Sequence, residues 1–310
     1  MEDRIVCNSI MDEVNKVIIG KEDVVKKILA CFLAKGNVLI EDIPGVGKTT
    51  MAVAFAKAIN IKVNRIQFTP DVMPSDVVGF TMFDQSDKTF KYKEGVVFCN
   101  LLLADEINRT SSKTQSALLE SMEEKRVTVD GVVWELPDPF MVIATQNPVG
   151  SAGTHSLPES QLDRFMIKIS VGYPEKEREI DMLKNKESSN PLEEVKAVAS
   201  SEIFKQLQER VSNIFIHDKV YKFIIDIIDK TRNNDDIELG VSPRGSLAIS
   251  NMARANAFLA GRDYVTPDDV IEVAGYTLSH RIIMAEKGGR FISSEEILNS
   301  ILRETKVDEK

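Results

Sequence analysis

The sequence predicts an α/β protein with a parallel sheet flanked by helices, followed by an all-α C-terminal domain. Three observations carry this. Short apolar runs, Val38-Leu39-Ile40, Leu101-Leu102-Leu103-Ala104 and Phe140-Met141-Val142-Ile143-Ala144, are what strands buried on both faces of a parallel sheet require. Helical spacing of apolar residues recurs between them, so strand alternates with helix. Beyond Tyr173-Pro174 such runs stop and amphipathic helical patterns take over. A chain of 310 residues is long enough for two domains. We place them at 1–185 and 186–310.

Taken in order, residues 5–35 read as two helical segments. One carries Ile10, Val14, Val17 and Ile18, the other Val24, Val25, Ile28, Leu29 and Phe32, with a break at Ile19-Gly20. The first buried strand then runs into Glu41-Asp42-Ile43-Pro44-Gly45-Val46-Gly47-Lys48-Thr49-Thr50, a Gly-rich turn opening a helix. This is a recipe for holding a triphosphate. Backbone N–H groups of the turn and helix N-terminus face the anion, the Lys48 ammonium reaches the terminal phosphates, and the Thr49 hydroxyl is placed to coordinate Mg²⁺. Gly45 and Gly47 admit close backbone approach. Asp42 stands where the usual pattern has a glycine. Met51, Ala54, Phe55, Ala58 and Ile59 give the following helix one packing face, and a second strand follows at 63–68.

A hairpin is inserted at about 76–95, where two β-prone runs flank Asp84-Gln85-Ser86-Asp87. The next buried strand ends in Asp105-Glu106. Ligands sit at the carboxyl ends of such strands, so Asp105 is placed to hold Mg²⁺ through its waters and Glu106 to polarise an attacking water. A helix at 113–124 leads to a second hairpin, about 125–137, turning at Asp130-Gly131. The strand 140–145 delivers Asn147 to the same sheet edge, and a last short strand spans 166–171. In the C-terminal part, helices are expected at 220–228, 246–259, 268–278 and 295–302, with Thr266-Pro267-Asp268-Asp269 as a helix start. Residues 187–191 read as a loop.

Composition narrows the function class. The formal net charge of -9 argues against a grip on nucleic acid or an anionic membrane. Three isolated cysteines, Cys7, Cys31 and Cys99, form no CxxC, which speaks against a zinc site or disulfide framework. No apolar run approaches the roughly 18 residues of a membrane span, and the acidic start is unlike a signal peptide. A cytoplasmic protein without membrane insertion is expected.

Six stretches in this order resemble the MoxR-type AAA+ ATPases, in the branch with a hairpin inserted into the second helix. They are Glu41 to Thr49, Leu103-Ala104-Asp105-Glu106-Ile107-Asn108-Arg109, Lys113 to Glu120, Ala144-Thr145-Gln146-Asn147-Pro148, Leu157 to Phe165, and Val241-Ser242-Pro243-Arg244. The resemblance covers nearly the whole chain. It implies a P-loop AAA+ core with a C-terminal helical lid, ATP and Mg²⁺ as cofactors, and assembly into a homo-oligomeric ring, a hexamer. It implies that Asn147 helps Glu106 position the lytic water, that Arg164 is an arginine finger acting on a neighbouring subunit's nucleotide, and that Arg244 couples the lid to the γ-phosphate. Ile19-Gly20 resembles the family's adenine-contacting turn. The two hairpins resemble those that face the ring's pore. A chaperone-like role follows, remodelling or activating protein clients that often bear a von Willebrand A domain. Related branches keep two other readings open, a DNA-directed motor and a magnesium-chelatase-like motor subunit. His155, His217 and His280 have no spacing partner and are read as structural or surface residues.

Overall fold

The computed structural model describes residues 2–42, 47–147, 157–172, 191–285 and 292–306. Two helices, α1 (Glu2–Asn15) and α2 (Glu22–Leu33), lead into strand β1 (Val38–Glu41). Then come α3 (Lys48–Ile59), β2 (Val63–Gln67), a short α4 (Pro74–Val78), and the first hairpin, β3 (Gly79–Asp84) with β4 (Thr89–Glu94). Strand β5 (Leu101–Asp105) precedes α5 (Ser112–Glu124), and the second hairpin pairs β6 (Arg126–Val129) with β7 (Val132–Glu135). Strand β8 (Met141–Gln146), the single turn α6 (Glu159–Leu162) and β9 (Ile167–Ile169) complete the α/β part.

Five of these strands form one parallel sheet in the order β2-β5-β8-β1-β9. Alternation along each strand sorts its side chains to two cores. Val38, Ile40, Leu101, Leu103, Met141, Ile143 and Ile167 face one cluster; Leu39, Leu102, Ala104, Val142 and Ala144 face the other, with α5 and the hairpin bases. Both faces being covered is why the central strands are apolar throughout. Edge strand β2 is not: its residues are half-buried or exposed.

The C-terminal part is helical: α7 (Ser201–Ser212), α8 (Asp218–Arg232), α9 (Pro243–Leu259), α10 (Pro267–Leu278) and α11 (Ser294–Glu304). Caps fix their starts. Ser242 Oγ accepts from the N–H groups of Arg244 and Gly245, and Thr266 with Asp269 closes a capping box on α10. Helix α7 and a two-stranded antiparallel ladder, β10 (Ile237–Leu239) with β11 (Ile283–Met284), are additions to the sequence reading. Among the described residues these helices form no separate core. Phe204, Phe223, Ile249 and Val273 belong to the cluster that α1, α2 and α3 build on one face of the sheet. The expected domain boundary at 185/186, the change of pattern at Tyr173-Pro174 and most of the loop at 187–191 lie outside the described residues.

The two hairpins touch each other. The Tyr92 ring stacks on Trp134 with centroids 4.4 Å apart and planes 17° from parallel. Phe80, Met82, Phe83 and Phe90 of the first hairpin and Val132 and Val133 of the second are exposed. Among the described residues no helix is long and apolar enough to cross a membrane.

Candidate functional site: a phosphate cradle at the carboxyl edge of the sheet

Parallel strands present their carboxyl ends at one edge, and β1, β5 and β8 end there in Glu41, Asp105 and Gln146. A cavity of about 320 Å³ opens at this edge. Its lining includes Gly47, Lys48, Thr49 and Thr50 from the start of α3, Asp105 and Glu106 from the end of β5, and Thr145 and Asn147 from the end of β8. Gly47 sits at φ +86° as the residue before α3, a left-handed conformation that favours glycine. Pro44, Gly45 and Val46 of the loop lie outside the described residues.

Lys48 Nζ donates to the Asp42 carbonyl at 2.9 Å. Burial pulls its pKa below the ordinary lysine value, while the charges of Asp42, Asp105 and Glu106 work the other way. Asp42, counted with the nucleotide-binding residues on sequence grounds, turns its carboxylate elsewhere. It accepts from the backbone N–H groups of Val171 at 2.6 Å and Gly172 at 2.7 Å. Its side chain straps the end of β1 to the end of β9, while its carbonyl accepts from Lys48.

Glu106 follows the strand at φ 55°, ψ 47°, a left-handed conformation that costs a non-glycine residue about 1 kcal/mol or more. Thr145 compensates: its Oγ1 accepts from the Glu106 N–H at 2.9 Å and donates to Asp105 Oδ1 at 3.3 Å. Glu106 Oε1 accepts from Asn147 Nδ2 at 3.1 Å, and Oε2 from Arg109 at 2.7 Å. Burial pushes the Glu106 pKa up, but hydrogen bonds from Arg109, Asn147 and Gln67 outweigh it and hold the carboxyl below its usual range. The side chain is therefore kept as a carboxylate, the form that can accept a proton from water.

Arg65, Gln67, Arg109 and Thr145 are site residues that sequence reasoning gave no role. Arg65 and Gln67 also line the cavity. The strand-end rule could have found Gln67, because the register pairs it with Asp105. Arg109 stands three residues after Glu106, the spacing of neighbours on a helical turn.

The available metal ligands are hard oxygens, the Thr49 hydroxyl and the Asp105 carboxylate. Among the described residues no group of three or more His, Cys, Asp or Glu could hold a metal by itself. This donor set fits Mg²⁺, which keeps waters and shares its shell with phosphate oxygens.

Ile19 and Gly20 do not line the cavity. Their turn approaches it through buried Ile18, whose Cδ1 lies 3.9 Å from the place a Cβ on Gly47 would occupy.

Arg164 and Arg244 sit elsewhere. They line a cavity of about 220 Å³ with Asn37, which precedes β1, and Met166, which precedes β9. This is the amino edge of the same sheet, one length of β1, about 13 Å, from its carboxyl edge. Both arginines pair with Glu123 on α5. Arg164 Nη1 lies 3.2 Å from Oε2, and Arg244 takes Oε1. Arg244, expected to couple the lid to the γ-phosphate, does not line the nucleotide cavity of its own chain; α9, which carries it, places it at the opposite edge. Asp163 fixes this arrangement, accepting from Ser242 Oγ at 2.8 Å and from Arg281 Nε at 2.8 Å. Arg281 is buried and also donates to the Phe165 carbonyl at 2.7 Å.

The fold and the cradle define a nucleotide-hydrolysing P-loop protein of the AAA+ class. Residues 37–167 match the model of the ATPase family associated with various cellular activities (AAA), and residues 229–301 match the AAA lid domain. The uncharacterized protein YeaC of Bacillus subtilis is 48% identical over 298 residues, 96% of this chain and 93% of that protein. Chaperone MoxR1 of Mycobacterium tuberculosis is 39% identical over 301 residues, 94% of this chain and 79% of that protein. The crystal structure of a candidate ATPase from Cytophaga hutchinsonii superposes with a TM-score of 0.92 at 36% identity, covering 99% of this chain and 96% of that one. The chain belongs to the MoxR-type AAA+ ATPases.

Proposed function

We propose that this ATPase is Mg²⁺-dependent, works as a homo-hexameric ring, and uses hydrolysis to remodel or activate partner protein complexes, with clients that carry a von Willebrand A domain. The observation that carries the catalytic part is the Glu106 carboxylate held 3.1 Å from Asn147 beside Lys48, Thr49 and Asp105. In this reading Lys48 and the first turn of α3 bind the phosphates, and Thr49 and Asp105 would hold Mg²⁺, which would supply positive charge to the phosphate oxygens. Glu106 takes the proton of the attacking water, and Asn147 orients both. Ile19-Gly20 contacts the adenine from the helix break ahead of β1.

The ring is supported by the amino-edge position of Arg164 and Arg244. Neither lines the nucleotide cavity of its own chain, so a phosphoryl transition state would meet them on a neighbour. Contact with a protein client is supported by the exposed apolar side chains of the two hairpins, and the helical segment beyond the core serves as the lid. Phosphate release measured with Mg²⁺ and with EDTA, alongside mass photometry with and without ATP, tests the proposal. Metal-independent turnover would refute the cofactor assignment, and a monomer at saturating ATP would refute the ring. For the client, Glu106→Gln is loaded with ATP or ADP and offered a purified von Willebrand A domain protein encoded beside it. Equal binding in both states would refute nucleotide-driven remodelling.

A further inference from the structure

The carboxylate of Asp105 is buried at the sheet edge, and its Oδ2 accepts a 2.8 Å hydrogen bond from Nε of Arg65. The partner at Oδ1 is the uncharged Thr145 hydroxyl. Arg65 comes from edge strand β2, in register with Leu103, two residues before the Gln67 and Asp105 pair. Its side chain remains 54% exposed and lines the cavity beside Lys48 and Thr49. A carboxylate withdrawn from water needs a compensating charge, and removing that charge alone is costly. Mg²⁺ held at Asp105 through its waters would bring a double positive charge to the oxygens that the guanidinium now serves. Like charges at that separation repel, and Arg65, anchored on an edge strand with an exposed flank, has room to withdraw.

We propose that Arg65 is the counter-ion that holds Asp105 in the metal-free protein and yields that carboxylate when Mg²⁺ arrives with nucleotide. Arg65 is then a positioning residue of the phosphate cradle, and the proposal rests on the reading of Asp105 as the metal-side carboxylate. A salt bridge that only tied β2 to β5 would be indifferent to the metal, which separates the two roles.

The test is equilibrium binding of the fluorescent nucleotide mant-ADP, in excess Mg²⁺ and in EDTA, to the full chain and to Arg65→Ala and Arg65→Lys. The ratio of Kd in EDTA to Kd in Mg²⁺ is expected to rise about tenfold in Arg65→Ala, because the metal-free state alone loses its counter-ion. Arg65→Lys, which keeps the charge without the planar Nε donor, should fall between. Equal weakening in both buffers, leaving the ratio unchanged, would overturn the proposal while the metal reading stood. A wild-type ratio of one would overturn the metal reading and the proposal together. Should Arg65→Ala prove unstable, Arg65→Gln is read by the same ratio.

Discussion

Asn147 Nδ2 donates to Glu106 Oε1 across 3.1 Å, joining the end of β8 to the residue just past β5. Two neighbouring strands of one parallel sheet thus bring an amide and a carboxylate to the same cavity. Glu106→Gln should bind ATP with little change in Kd and lose turnover about a hundredfold or more, since it removes the proton acceptor and leaves the phosphate contacts. Asn147→Ala should lose less, because the carboxylate remains. Steady-state phosphate release paired with mant-ATP titration checks both, and an active Glu106→Gln would remove Glu106 from the chemistry.

The shared Glu123 partner of Arg164 and Arg244 predicts that both arginines behave alike in subunit mixing. Arg164→Ala and Arg244→Ala should each lower turnover about 10³-fold alone. Each should regain part of it when mixed with Glu106→Gln subunits, because the mixed ring pairs an intact arginine with an intact cradle. Recovery by Arg164→Ala but not Arg244→Ala would return Arg244 to its own chain's nucleotide.

Asp42→Ala removes the acceptor for the Val171 and Gly172 N–H groups and should destabilise the protein by about 3 kcal/mol. Urea unfolding measures it. Nucleotide affinity of the folded fraction should change little, since the carboxylate is engaged by Val171 and Gly172 and does not line the cavity; a large affinity loss at unchanged stability would make Asp42 a nucleotide ligand.

His280, partly buried, sits between the Phe165 carbonyl and Arg281, and loss of hydration first, then the Arg281 charge, lowers its pKa well below the usual value of about 6.5. The unfolded chain therefore binds this proton at a higher pH than the folded one. Its contribution is fully present above pH 6.5 and is lost as pH falls below that value. His280→Gln should flatten the fall in melting temperature between about pH 6.5 and 5. An unchanged slope would mean that another group controls the acid limb.

Burying Arg281 beside Asp163 carries its own expectation. Arg281→Met leaves the Asp163 carboxylate without its cation and should cost about 3 kcal/mol or more. The double variant Asp163→Asn with Arg281→Met should recover part of that loss, and a strictly additive pair would show that the two groups are not coupled.

Much of the sheet was legible because its central strands are covered on both faces and so carry little but apolar residues. The β10–β11 ladder was harder. Ile237–Leu239 is three residues long with exposed positions, too short for a period to show. Helix α7 had a usable signal, the Ser200 cap with Phe204, Leu207 and Val211 behind it, diluted by its polar face. Within the cavity, residues that sit next to one another in the chain or close a strand could be placed from order alone. Arg65 could not, because its meeting with Asp105 spans 40 positions and depends on which strands become neighbours.

By itself, the sequence determined that β1, β5 and β8 end at one edge and that Lys48, Thr49, Asp105, Glu106 and Asn147 gather there, because parallel strands joined by helices all point one way. Only the tertiary structure decided where Arg164 and Arg244 go. Arg164 stands just ahead of β9, but its meeting with Arg244 at Glu123 depends on how the C-terminal helices dock, and docking is set by side-chain packing between segments far apart in the chain, which no local pattern encodes.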